Sequence, residues 1–267
     1  MDESRYLKMI SNNPSIISTI NEPTEEMKML ALEKDGLTLE YIENPTIEMQ
    51  ELALNNNIRA IRYINEPTEE MMIKAVNAGW SLLEYIKNPT DKVIELAINQ
   101  AGWAIKYAKN PSEELQELSV RKNYDSIKFI KEPYESVQKE AVKISYDALR
   151  YIKCPSREIE IEAIRNNEAA ISFIYNLDKE KRLALLKANI LVIKYIGRDI
   201  TKEDLEEVLK EVLSDENVDE KYVRDFLKCN SIDKYSDKID IDKILFIYKY
   251  GSKKAKKIAV DEKLRTI

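Results

Sequence analysis

Residues 43–108 read ENPTIEMQELALNNNIRAIRYI (43–64), NEPTEEMMIKAVNAGWSLLEYI (65–86) and KNPTDKVIELAINQAGWAIKYA (87–108), three stretches of 22 residues that superimpose without a gap. Outward from them, prolines stand at 23, 45, 67, 89, 111, 133 and 155, each 22 residues from the next, and Pro14 alone lies off this comb. Seven units therefore align from Asn21 to Ile174. A fixed period of this length marks a stack of small modules, none of which can bury its apolar stripe alone.

With proline at position 3 of each unit, position 4 is Thr or Ser, once Tyr134, and positions 5 and 6 are mostly acidic. Position 7 is apolar (Met27, Met49, Met71, Val93, Leu115, Val137, Ile159), position 11 is Ala or Ser119, and position 12 is aliphatic. Positions 7, 11 and 12 share one face of an α-helix. The hydroxyl or amide before them suits a helix N-cap, the acids suit the positive end of the dipole, and proline suits a first helical turn. A first helix of about 10–12 residues follows, and Gly or Asn near positions 15–16 (Gly36, Asn57, Gly79, Gly102, Asn123, Asn167) is expected to end it in a left-handed turn. Positions 17–22 then form a very short second helix, stopped by the next proline. Position 19 is Leu or Ile, and position 21 is always aromatic: Tyr41, Tyr63, Tyr85, Tyr107, Phe129, Tyr151, Phe173. That strict recurrence predicts that the position-21 rings fill the core between layers. The expected fold is all-α: an α-solenoid of 22-residue two-helix repeats, one helix long and one very short.

The ends depart from the pattern. Residues 1–20 match the second half of a unit and read as an N-terminal cap or half repeat. Residues 175–196 keep the phase without proline and read as a divergent eighth repeat, with Leu185, Leu186, Ile193 and Tyr195 in register. Residues 197–267 read as a helical C-terminal cap or small module, with helices over Thr201–Leu213, Asp219–Lys228 and Asp240–Tyr250 and a lysine-rich tail. EIEIE (158–162) alternates like a strand but keeps the repeat phase, so it reads as helix; IDID (239–242) is the other brief alternation.

Composition narrows the chemistry. The 267 residues carry a net charge of −6, no His, two Cys and five Gly. Without His there is no Ser-His-Asp triad, no Cys-His dyad and no His-ligated metal. Cys154 and Cys229 are too few for a four-cysteine zinc site and unlike a disulfide framework, which points to a reducing cytoplasm. No glycine-rich phosphate loop is present, and no apolar run approaches the ~20 residues that span a bilayer. Asp215-x-Asn217-x-Asp219 begins like a calcium loop but lacks its glycine and its closing glutamate, which Phe226 replaces. No cofactor, metal or catalytic residue is expected, and the chain reads as a non-enzyme without a membrane partner.

The stretches EMMIKAVNAGWSLLEYI and VIELAINQAGWAIKYA carry a pattern that resembles a family of uncharacterised short helical repeats found in bacterial, phage and giant-virus proteins. One long helix stacked with one very short one is also similar to the leucine-rich variant repeat. The resemblance covers residues 21–196. It implies a protein-interaction scaffold and, from the phage and mobile-element distribution, a role in binding and inhibiting a host factor. It supplies no catalytic residues.

Two surface features are candidates for partner binding. The first is a basic stripe: Lys87, Lys109, Lys131 and Lys153 at position 1, joined by Lys106, Lys128 and Arg150 at position 20. Equal positions line up in a stack, so these form ridges suited to phosphates or an acidic partner. The bland alternative is that cations simply favour a helix C-terminus. The second is an aromatic row at the turn between helices: Trp80, Trp103, Tyr124 and Tyr146. These are hot-spot residue types, or else rings partly packed between layers. Net charge runs −8 over residues 1–86, zero over 87–174 and +2 over 175–267. Overall acidity disfavours nucleic acid as partner and leaves another protein as the leading expectation, with repeat-based nucleic-acid binding as the alternative.

Overall fold

A computed structural model describes residues 3–233 and 239–265 of the chain. Its architecture is all-α and solenoid-like, each 22-residue unit contributing one α-helix and one 3-10 helix in succession. The α-helices of the regular units are α2 (Glu25–Lys34), α3 (Ile47–Asn56), α4 (Glu69–Ala78), α5 (Asp91–Gln100), α6 (Glu113–Lys122), α7 (Glu135–Ile144) and α8 (Arg157–Asn166), preceded by α1 (Glu3–Asn12). Each is ten residues long and occupies positions 5–14. The 3-10 helices fill positions 16–21, as in Ile58–Tyr63, Trp80–Tyr85, Gly102–Tyr107 and Tyr124–Phe129. The first 20 residues carry both helices of a unit, α1 and the 3-10 helix Pro14–Thr19, rather than half of one. The chain divides into two compact units, Met1–Val137 and Gln138–Ile267.

Local chemistry explains these boundaries. The hydroxyl at position 4 is the N-cap: Thr24, Thr46, Thr68, Thr90, Ser112 and Ser156 each accept a hydrogen bond from the backbone N–H three residues on. Each such cap contributes about 1 kcal/mol. Proline therefore sits just before the cap, outside the helix, and not in its first turn. The left-handed turn expected at positions 15–16 is absent: Asp35, Asn57, Asn123 and Asn167 are extended, and Gly79 has φ 173°. The reason is that position 15 ends one helix and starts another. Its N–H bonds back to the position-11 carbonyl, while the Asp35, Asn57 and Asn167 side chains accept from the N–H two residues later. An N-cap needs extended backbone, so the left-handed option is closed.

Layers are tied together by backbone-directed amides. Asn56 accepts from Gly36 N–H at 2.8 Å and donates to Glu33 O at 2.8 Å, and Gln100 does the same for Trp80 N–H and Val76 O. The core lies where the pattern placed it at positions 7, 11, 12 and 19. Ala31, Ala53, Ala75, Ala97, Ala141 and Ala163 are wholly buried, as are Ile61, Leu83, Ile105 and Ile127 within 1%. Two of the small residues show why: a Cβ on Gly36 would stand 2.3 Å from Ala53 O, and one on Gly102 2.4 Å from Ser119 O.

In the second unit the eighth repeat supplies α9 (Lys179–Ala188), capped by Asp178 in place of a hydroxyl, and its short half ends as the single α-turn α10 (Ile193–Ile196). Then follow α11 (Lys202–Ser214), α12 (Glu220–Lys228), α13 (Lys243–Tyr250) and α14 (Lys253–Leu264). The lysine-rich tail is thus a fourth helix, whose Ala255, Ile258, Ala259 and Glu262 face inward. Tyr222 donates to Leu186 O at 3.0 Å, which fastens α12 to α9, and burial raises its phenol pKa. EIEIE lies within α8, and IDID contributes a single isolated bridge, Asp233 with Asp240. Among the described residues, no helix is long and apolar enough to cross a membrane.

Candidate functional site

The 3-10 helix has three residues per turn, so its positions 19 and 22 eclipse each other, and so do 18 and 21 and also 17 and 20. The first pair faces the core: Ile61 with Ile64 and Leu83 with Ile86 are buried. Position 18 is small in most units and buried (Thr38, Ala60, Ala104, Ser126, Ala148, Ala170). Position 21 follows that small residue by one turn of the 3-10 helix.

The position-21 aromatics are accordingly not core. Tyr41 is 45% exposed, Tyr85 37%, Phe129 41% and Tyr195 55%, while Tyr63, Tyr107, Tyr151 and Phe173 are half-buried. Periodic recurrence reflects a surface ladder here. An α-helical period for residues 17–22 hid it; the small residue three places earlier is the signal that would have found it.

In the first unit, neighbouring groups hold the rings from Tyr63 to Phe129. Arg62 lies over the Tyr85 ring at 4.6 Å and near Tyr63 at 5.9 Å. Lys106 sits 4.5 Å from the Tyr107 ring and 5.6 Å from Trp80, and Lys128 sits 5.0 Å from Phe129 and 5.8 Å from Trp103. Such cation–ring contacts are worth about 0.5–1 kcal/mol at exposed sites. Where position 20 is acidic, the next ring's hydroxyl turns to it: Tyr107 donates to Glu84 at 3.3 Å, and Tyr63 pairs with Glu40. Partial burial and then that carboxylate raise the Tyr63 pKa.

The aromatic row joins this edge. Trp80 is half-buried and stacks at 6.4 Å on Tyr107 of the next layer. Trp103 is 40% exposed, and its Nε1–H donates to Asp125 Oδ1 at 2.7 Å. Asp125 also accepts from Lys128 at 2.7 Å. Desolvation pushes the Asp125 pKa up, and the Lys128 and Trp103 hydrogen bonds outweigh it, so the carboxyl is held below its usual value. Tyr124 is half-buried. In the second unit Tyr146 stacks at 6.4 Å on Phe173, with Arg150 5.0 Å from the Phe173 ring and 3.1 Å from Asp147. There, Arg150, Lys153, Phe173, Tyr175 and Lys181 line a groove of about 570 Å³.

The basic stripe is partly tied down. Lys87 donates to Asn65 at 3.0 Å and Lys109 to Asn88 at 3.4 Å, each reaching into the preceding layer. Lys128 and Arg150 pair with the aspartate three residues earlier. Lys106, Lys131 and Lys153 have no ion-pair partner among the described residues, and all seven stripe cations are exposed. No group of three or more Cys, Asp or Glu among the described residues is placed to hold a metal.

The fold and this edge together define the class: an all-α, solenoid-like repeat protein. Beyond the class, no protein-family model, no curated protein and no solved structure matches the chain.

Proposed function

We propose that the chain is a non-enzymatic docking scaffold that binds another protein along its short-helix edge. The observation that carries this reading is the row of half-exposed position-21 rings in consecutive layers, with Tyr63, Tyr85, Tyr107 and Phe129 each against a neighbouring cation or carboxylate. Aromatic and cationic side chains fixed before binding lose little entropy on contact, which is how hot spots gain affinity. The alternative reading, repeat-based nucleic-acid binding, draws on Lys106 and Lys131 beside the rings. Glu40, Glu84 and Asp125 on the same edge oppose it, as they would repel phosphates.

Photo-crosslinking tests the proposal. A photoreactive phenylalanine at Tyr85 or Tyr107 is expected to label a protein partner in cells, and one at Glu70 on the exposed side of α4 is not. Equal labelling from both faces, or labelling of nucleic acid from Tyr85, contradicts it.

A further inference from the structure

Helices α13 and α14 of the second unit carry cations where a helix gains nothing from them. Residues 243–265 hold eight Lys or Arg against Asp261 and Glu262, in a chain whose net charge is −6. Lys253, Lys254 and Lys256 stand in the first turn of α14, the positive end of its dipole, and no acid accompanies them there. Helices of the repeats begin the other way, with Glu25 and Glu26, Glu69 and Glu70, or Glu113 and Glu114. Lys253, Lys254, Lys256 and Lys257 are exposed and form no ion pair among the described residues. Local helix stability therefore does not account for them. Glu262 is turned inward, held by Arg224 and by Lys228 at 2.8 Å, which leaves Asp261 as the exposed acid of the segment.

The same helices expose large apolar side chains. Leu245 is 61% exposed, Tyr248 75%, Val260 59% and Leu264 66%, and Ile244 is exposed beside them. On α14, Lys253, Lys257, Val260 and Leu264 recur at i, i+4, i+7 and i+11, a stripe opposite the buried Ala255, Ile258, Ala259 and Glu262. On α13, Ile244 and Tyr248 share a side at i, i+4, away from the buried Phe246 and Ile247. Lys256 lies 6.0 Å from the Tyr248 ring, and Ile244 shares a recess of about 250 Å³ with Ala259 and Lys263. The two exposed stripes are thus neighbours, and lysines and apolar side chains alternate across one face.

Charge and residue type choose the occupant. Single-stranded nucleic acid stacks its bases on aromatic rings, and Tyr248 is the one exposed ring on this face. The core of a protein interface favours Arg and is depleted in Lys, whereas seven of the eight cations here are Lys. An anionic bilayer needs no fixed fork geometry. Lysine stems reach across apolar surface to its headgroups, and the apolar side chains beside them enter the boundary between headgroups and acyl chains. Clusters of about four to eight cations on an amphipathic helix are what such a surface attracts.

Beyond the docking reading, and without depending on it, we infer that the exposed face of α13 and α14 lies on an anionic lipid bilayer. Its lysines meet the lipid phosphates and carboxylates, and Leu245, Tyr248, Val260 and Leu264 enter the interface. The expectation of no membrane partner rested on the lack of a spanning segment, which a surface contact does not need.

The test is co-sedimentation of the full chain with vesicles of phosphatidylcholine containing about one-third phosphatidylserine, against vesicles of phosphatidylcholine alone. Binding to the mixed vesicles is expected to be at least about ten-fold tighter. Lys253→Gln/Lys257→Gln is expected to weaken it about thirty-fold, from the loss of two unit charges near the surface. Leu245→Ser/Leu264→Ser, with Tm unchanged, is expected to weaken it at least about ten-fold, because apolar area no longer enters the interface. Fluorescence of Tyr248→Trp is expected to be quenched by lipids brominated on their acyl chains, above the background that Trp80 and Trp103 give in the unaltered chain. Equal binding to both vesicles, no binding to either, or quenching no greater than background overturns the inference. So does undiminished binding by either double variant, or tighter binding of oligouridine or polyglutamate than of the mixed vesicles; the last two results assign the face to nucleic acid or to an acidic protein.

Discussion

At Gly36 a methyl group has nowhere to go: its place, 2.3 Å from Ala53 O, is taken by the backbone of the next layer. Gly79, one position earlier in its unit, has nothing within 4 Å of the same atom and an extended backbone. Gly36→Ala is expected to lower stability by about 2–3 kcal/mol through forced separation of layers. Gly79→Ala is expected to be neutral or to stabilise by up to about 1 kcal/mol. Thermal unfolding followed by circular dichroism checks both; equal losses would mean that layer contact is not what separates them. From sequence, the two glycines belonged to one column of helix stops, because the carbonyl that distinguishes them comes from a residue 17 places away.

Asp125 makes a second prediction at this scale. Its folded pKa lies below the ordinary value, so the stability it contributes is present above the ordinary carboxylate range and is lost as pH falls through the folded pKa. Asp125→Asn is expected to flatten part of the acid limb of a Tm-against-pH curve while leaving the neutral region nearly level, since no histidine titrates there. An unchanged acid limb would show that the Trp103 and Lys128 hydrogen bonds carry no linkage.

At the scale of the element, the long helix was legible in its hydroxyl caps, first-turn acids and 7-11-12 face, but not in its ends: proline lies before the cap, and position 15 is extended where a left-handed stop was expected. The short helix was legible in place but not in kind. Six residues give little periodicity, and the choice between 3.6 and 3.0 residues per turn decides which face position 21 joins. The amide brackets were not legible, because their partners are 20 to 24 residues away. They are nonetheless strong elements: removing Asn56 leaves Gly36 N–H and Glu33 O without their inter-layer partner. Asn56→Ala is expected to cost about 1–3 kcal/mol, and the added cost in Gly36→Ala/Asn56→Ala to fall short of the sum. A double-mutant cycle by urea unfolding measures this; full additivity would place the two residues in independent contacts.

For the whole molecule, stability in a stack is a sum of intrinsic and nearest-neighbour terms, so the unit of tolerated change is a complete period. Excising residues 65–86 is expected to leave a folded chain of unchanged helicity per residue with a modestly lower urea midpoint. Excising residues 65–75 breaks the register of every following contact and is expected to abolish cooperative unfolding. The ladder also exists only at this scale. No single unit has a site; the edge acquires one because equal positions recur in consecutive layers, and the lysines at positions 20 and 1 run beside the rings only from Lys87 onward. The candidate site read from sequence included Lys106 and Lys128, which the structure sets beside the position-21 rings, and the neighbouring turn aromatics Trp80 and Trp103. It omitted the position-21 rings that those cations cover.

The claim that the short-helix edge is the docking face is tested most directly by hydroxyl-radical footprinting of the chain with and without its crosslinked partner. Reduced oxidation of Tyr85, Trp103, Tyr107 and Phe129 is the predicted result, with Met29 and Ile73 on the long helices unchanged. Protection confined to the long helices, with the four rings as reactive in the complex as in the isolated chain, would contradict it.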